Sequence, residues 1–226
     1  IALKPDRIAA YGYAHLPERF KAQRQIDKYD LPDATTRLTL LQSCVSMLTA
    51  AGYVHIGVDH FALPGDDLAQ ALVNGTLQRN FQGYSTHAAC DLIGFGMSAI
   101  SRLGSGFSQN AKDLPGYYMA LDHGRLPVAR GRRLSEDDLL RADLIQRLMC
   151  GGVLDIPSFE ARHPVEFARY FRQSLARLQP LVDDGLVTCT SQRIETTARG
   201  QLLLRNIAQC FDAYIEGSDN RYSRAV

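Results

Sequence analysis

The 226-residue sequence has no apolar run approaching the roughly 18 to 20 residues that a membrane crossing requires, and its N-terminus lacks the basic-then-apolar layout of a signal peptide. A cytoplasmic protein with no membrane partner is expected. An excess of charge is missing too: 25 Lys+Arg stand against 24 Asp+Glu, so nothing in the balance suggests non-specific nucleic-acid or membrane-surface binding. The five cysteines, Cys44, Cys90, Cys150, Cys189 and Cys210, are odd in number and widely spaced, which argues against a disulfide framework. None forms a CxxC or CxxxCxxC motif, so a local cluster or zinc knuckle has no support and no metal ligand is assigned. Small buried thiols are expected instead. The histidines form no HxxxH pair and no HExxH, and GxSxG, GxGxxG and GxxxxGK[ST] are all absent. Nor does the chain begin with Met; it starts at Ile1 and almost at once enters a strand-like run, which reads as a cut piece.

What is present is a globular chain, 46% hydrophobic, with both strand and helix signals. Arg7 to Ala14 suits a strand that ends at His15-Leu16-Pro17, because Pro17 turns its predecessor away from helix. Pro32-Asp33 opens an amphipathic helix through Leu38, Leu41, Val45 and Leu48, closed by Gly52. Tyr53 to Val58 and Asp91 to Ser98 read as further strands, and the strand, helix, strand order implies a parallel sheet with crossover helices. After a Gly-, Pro- and Arg-rich stretch over 124–133, read as a solvated linker, the character changes. Ser135-Glu136-Asp137-Asp138 caps a helix through Leu148, a second helical run follows from Glu166 to Leu178, and a hairpin from Thr188 to Thr196 precedes a closing helix from Thr197 through Tyr214. Helices followed by a small hairpin suggest a winged-helix layout. Residues 134–226 carry 11 Lys+Arg against 13 Asp+Glu, a net −2, the wrong sign for DNA binding.

Candidate chemistry gathers where strands end: Tyr13 to Pro17, the Asp59-His60-Phe61 turn, and Gly94 to Ile100 with Gly104-Ser105-Gly106 beyond. Glycines there let a backbone approach a ligand, or mark plain turns. Asp59 and His60 form a candidate acid–base pair, weakened because neighbours on a strand point to opposite faces. Gln78 to Thr86 packs a cation, amides, aromatics and hydroxyls around Gly83 and reads as a recognition loop, or else a polar surface hairpin. Arg79 suits a carboxylate of the substrate, and Phe81 or Tyr84 suits a flat ring.

Four of these stretches, Tyr13-Ala14-His15-Leu16-Pro17, Asp59-His60-Phe61-Ala62, Arg79-Asn80-Phe81-Gln82-Gly83-Tyr84 and Gly94 through Ile100, together with a fifth, Arg205-Asn206-Ile207 with Cys210-Phe211-Asp212, resemble successive signatures of the oxygen-independent coproporphyrinogen III oxidases. The resemblance runs to Tyr222-Ser223-Arg224-Ala225-Val226, with small departures at Gln78 and Ser85. It implies an α/β chain: the later strands of a partial (β/α) barrel over 1–123, joined by 124–133 to a mainly helical, winged-helix-like domain over 134–226. It also implies a radical S-adenosylmethionine enzyme with a [4Fe–4S] cluster that converts coproporphyrinogen III to protoporphyrinogen IX, with an electron donor and acceptor as partners. Ala14 and Ile100 match family positions at S-adenosylmethionine; Phe81 and Gln82 match positions near a second such molecule. Arg79 and Tyr84 are candidate substrate contacts, and no catalytic residue is assigned. The family's CxxxCxxC loop is expected upstream of Ile1, so the 226 residues alone are expected to be inactive and unable to bind the cluster. The alternative is a non-catalytic haem- or tetrapyrrole-binding module on the same framework.

Overall fold

In the computed structural model the described residues are 1–18, 20–87 and 90–215; the Tyr222 to Val226 match lies outside them. The chain opens with β1 (Arg7–Ala9). It then forms two short 3₁₀ turns and α1 (Ala34–Ala50), capped by the Asp33 side chain accepting from Thr36 N. β2 (Val54–Gly57) and β3 (His60–Ala62) follow, then α2 (Asp67–Val73), capped by Asp66. Leu48 of α1 packs on Tyr53 and Phe61, as its periodicity predicts. β1 and β2 run in the same direction, as a strand, helix, strand crossover should place them, but they are not neighbours. The order is β1-β3-β2, both pairings antiparallel. The reason is local: Val58 turns at φ 51°, sending the chain straight back as β3 into the space between the two.

β4 (Gln78–Asn80) and β5 (Gly83–Ser85) form a hairpin. Asp91 to Ser98 is not the strand its composition suggests; only Leu92 bridges, to Arg102. Gly96 and Ser98 adopt positive φ, and the backbone is satisfied by other groups: Gly94 N donates to Ser101 Oγ, Gly96 N to the Tyr117 hydroxyl, and Asn110 Nδ2 donates to Gly96 O. The strand lies further on, in β6 (Ile100–Leu103), which returns through Gly104-Ser105 into β7 (Gly106–Asn110). After α3 (Leu114–Asp122), β8 (Val128–Arg133) pairs with β7. Within the 124–133 stretch, Val128–Arg133 is solvated, as expected, but it is the outer strand of a sheet and not an irregular linker.

The rest follows its sequence signals closely. α4 (Glu136–Gly151) starts in a reciprocal capping box between Ser135 and Asp138, with acidic residues in its first turn. It ends at Gly152, whose φ of 69° is the left-handed stop that glycine accepts most easily. β9 (Val153–Asp155), α5 (Ile156–Arg162), α6 (Phe167–Tyr170) and α7 (Arg172–Asp183) lead into the hairpin β10 (Val187–Cys189) and β11 (Arg193–Thr196). β9 pairs with β11, completing the three-stranded sheet of a winged-helix layout. A 3₁₀ turn and α8 (Leu204–Gln209) close the described chain, shorter than the closing helix the sequence suggests. Phe159, Phe167, Phe171 and Phe211 form the aromatic heart of the core with Leu144, Leu148 and Ile194. The whole is the mixed α/β arrangement expected, with a helical C-terminal part, but every strand pairing among the described residues is antiparallel, so the expected parallel sheet does not form among them. No helix among the described residues is long and apolar enough to cross a membrane.

Candidate functional site

Three of the singled-out stretches meet at the β3 turn. Asp59 lies just before β3 and not within it, so its side chain can swing beside that of its neighbour, and Asp59 Oδ1 sits 2.6 Å from His60 Nδ1. The opposite-faces objection to this pair therefore does not apply. Arg205 of α8 donates to Asp59 Oδ2 at 3.2 Å. Burial alone would raise the Asp59 carboxyl, but the hydrogen bond and charge of His60 and the charge of Arg205 outweigh it and hold the pKa below the usual carboxylate value. The other edge of His60 faces Gly83, where a Cβ would lie 2.9 Å from Nε2 and where φ is +130°. The imidazole also meets the Tyr84 ring edge-on, centroids 5.2 Å apart.

Tyr84, 9% exposed, points inward. Its hydroxyl donates to Met149 O in α4 at 2.7 Å, and burial, reinforced by Cys150, holds it protonated well above the ordinary tyrosine range. Arg79, opposite Tyr84 in the hairpin, lies over the Tyr84 ring at 5.7 Å with its Nε buried and unpaired among protein groups. The expected propionate contacts are therefore turned towards α4. The turn residues behave differently. Phe81 is 54% exposed and stands edge-on to Phe107 of β7 at 5.3 Å, while Gln82 N donates to Asn80 Oδ1.

Phe107 belongs to an open sheet face. Register sets Ile100, Gln109 and Arg130 in one cross-strand row and Arg102, Phe107 and Arg132 in the next. Residues two apart on a strand share a face, so all six side chains project to the same side. Ile100 and Phe81 are thereby joined to one surface through Phe107. Ala14 is not part of it: it sits in an irregular exposed segment after β1, where Gln23 donates to Ala14 O and accepts from Leu16 N. Phe107 and Arg102 are not singled out as site residues by the sequence, and the Arg130 to Arg133 run, which could suggest phosphate binding, reads there as a solvated linker, although alternation on both sides of Gly104-Ser105 is a readable hairpin signal.

S-adenosylmethionine suits this part of the chain in kind, since Phe81 and Ile100 offer apolar surface and Gln82 an amide. A [4Fe–4S] cluster does not suit these residues. Among the described residues no group of three or more potential ligands converges. Burial pushes the Cys150 thiol up to about 12 and raises that of Cys210, opposing the thiolate form. Two clefts of about 220 and 230 Å³ lie elsewhere, both against Cys150 and Gly151, and are small for an organic ligand.

Comparison with known proteins bears on the family and the fold. Residues 134–203 match a family described as HemN C-terminal domain. An oxygen-independent coproporphyrinogen III oxidase of Pseudomonas aeruginosa is 45% identical over all of this chain and 49% of its own length. One from Salmonella typhimurium is 48% identical over 99% of the chain and 50% of its own length. The chain thus spans about half the length of these relatives. The solved structure of coproporphyrinogen III oxidase (HemN) from Escherichia coli, described as a radical SAM enzyme, superposes with a TM-score of 0.90 at 46% identity, covering 95% of this chain and 49% of that one. The Thermostichus vulcanus oxidase is 43% identical across the whole chain, which covers 70% of that relative; the chain belongs to the oxygen-independent coproporphyrinogen III oxidase family.

Proposed function

We propose that the protein carrying this chain oxidatively decarboxylates two propionates of coproporphyrinogen III, giving protoporphyrinogen IX and carbon dioxide. When bound, S-adenosylmethionine supplies the 5′-deoxyadenosyl radical that takes hydrogen from each propionate; an electron donor and an acceptor are the implied redox partners. The observation that carries the reading is the meeting of Phe81 with the sheet face of Ile100 through Phe107, since these are family cofactor positions drawn from separate stretches. In this reading Phe81 and Ile100 exclude water from one side of the cofactor and Gln82 offers it a hydrogen bond; Phe107 joins the two, and Ala14, a cofactor position by resemblance, lies apart from this face. Asp59, His60, Arg205, Arg79 and Tyr84 hold the β4–β5 hairpin that presents the Phe81-Gln82 turn.

The cluster is not part of the assignment to these residues. Residues 1–226 alone, reconstituted anaerobically with iron and sulfide and supplied with dithionite, S-adenosylmethionine and coproporphyrinogen III, are expected to form no 5′-deoxyadenosine above a protein-free control. The full-length protein under the same conditions is expected to produce protoporphyrinogen IX. Binding of tetrapyrrole without conversion by the full-length protein would replace the enzyme with a binding module.

A further inference from the structure

The face that holds Ile100 and Phe107 also carries Arg102, Arg130 and Arg132, and all three are exposed. Among the described residues none of the three forms an ion pair with a carboxylate. Arg102 leans over the Phe107 ring at 6.0 Å. Arg130 donates its Nε to Gln109 Oε1 at 2.8 Å, which fixes the plane of the guanidinium and leaves its terminal amino groups clear. Arg132 lies 4.3 Å over the Tyr214 ring and donates to its hydroxyl, which in turn donates to Asp138. Arg132 is therefore partly engaged, and Arg102 and Arg130 are the freer pair.

The arrangement has a shape. Arg102 and Arg132 flank Phe107 on neighbouring strands, about 10 Å apart at their backbones given the usual strand spacing. Arg130 stands one side-chain step along β8, beside Gln109 and in the same cross-strand row as Ile100. Guanidinium groups spread over a face with an aromatic at its centre complement a flat ring body bearing several carboxylates at its periphery, because each can fork onto one carboxylate. A single phosphate would need the three groups to converge, whereas each is held by a different partner, Arg102 by Phe107, Arg130 by Gln109 and Arg132 by Tyr214. Arg79, by contrast, is turned under the hairpin.

We propose that Arg102 and Arg130, with Arg132 in support, take the peripheral propionates of the tetrapyrrole substrate on the β6–β8 face. The inference rests on the proposed reaction for its choice of ligand and on the arginine placement for its site. Neither arginine is given a role in the chemistry itself; they orient the substrate.

The test uses the full-length protein with Arg102→Gln, Arg130→Gln, the double variant, and the lysine counterparts. Two quantities are read separately: binding of coproporphyrin III, the oxidised tetracarboxylate, by fluorescence titration, and the KM values for coproporphyrinogen III and S-adenosylmethionine. The double glutamine variant is expected to weaken coproporphyrin III binding and raise the coproporphyrinogen KM by about tenfold or more, a loss that hydrogen bonds to charged groups readily account for. The S-adenosylmethionine KM should move less than twofold, and lysine should restore part of the binding. Unchanged coproporphyrin III affinity in a variant with a wild-type melting temperature overturns the proposal. So does a lowered melting temperature with both KM values rising together, which would mark the face as a packing surface for another part of the protein. A wild-type protein that binds coproporphyrin III without converting its reduced form defeats the proposed reaction alone; weakened binding in the glutamine variants would still support the arginine assignment.

Discussion

Arg205 on α8 donates to Asp59 at the β3 turn across 146 residues of sequence, and the same carboxylate holds His60 on its other oxygen. One side chain thus ties the C-terminal helix to the strand beneath the β4–β5 hairpin. Arg205 is more exposed than Asp59, so the Coulombic part is screened and the hydrogen bonds matter more. Asp59→Asn should cost about 1 to 3 kcal/mol in urea unfolding, because it leaves two donors facing a neutral amide. Arg205→Gln should cost less than about 1 kcal/mol. A double-mutant cycle should return a positive coupling; strict additivity would show the contact to be idle.

The same group gives a pH signature. The folded-state pKa of Asp59 lies below its ordinary value of 3.8, so its ionisation adds stability above that value, and the contribution fades as pH falls through the folded-state pKa. Asp143 behaves likewise: burial opposes its ionisation, but Arg147, His163 and Arg162 outweigh it. Wild-type stability should therefore fall more steeply than that of Asp59→Asn below about pH 4. Parallel acid limbs in denaturant titrations would contradict this.

Gly83→Ala is expected to destabilise by about 1 to 3 kcal/mol, since the residue sits at positive φ with His60 Nε2 in the way of a Cβ. Shifting the hairpin should also displace the Phe81-Gln82 turn. A melting curve and the S-adenosylmethionine KM of the full-length protein read the two effects separately.

Tyr84→Phe removes only the hydroxyl that Met149 O accepts from, leaving a buried carbonyl short of a donor. A loss of about 1 to 3 kcal/mol is expected, with faster amide exchange where α4 meets β5. The KM for coproporphyrinogen III should stay unchanged. A rise would restore Tyr84 as a substrate contact.

Ile100→Asp in the full-length protein should weaken S-adenosylmethionine binding, by setting an unpaired carboxylate against the ligand. Equilibrium dialysis showing wild-type affinity in a folded variant would remove Ile100 from the site.

Much of the local structure was legible in the sequence. Ser135 and Asp138 are three residues apart, so their capping box is written in near neighbours, as are the Gly152 stop and the hairpin from Val187 to Thr196. The stretches that mark the family were readable for the same reason, each being a short continuous run. The tertiary structure decided what those runs do together. β3 entered between β1 and β2 because Val58 turns the chain back, a choice that depends on a partner strand already lying there. Asp91 to Ser98 lost its strand character because Ser101, Tyr117 and Asn110 satisfy its backbone from elsewhere. Arg102 and Arg132 flank Phe107 only once β7 lies between β6 and β8, and Arg205 finds Asp59 only across 146 residues. Caps, turns and periodicity act over a few residues and survive in the one-dimensional record; the meeting of distant charges depends on strand register and helix docking, which the chain settles only by folding.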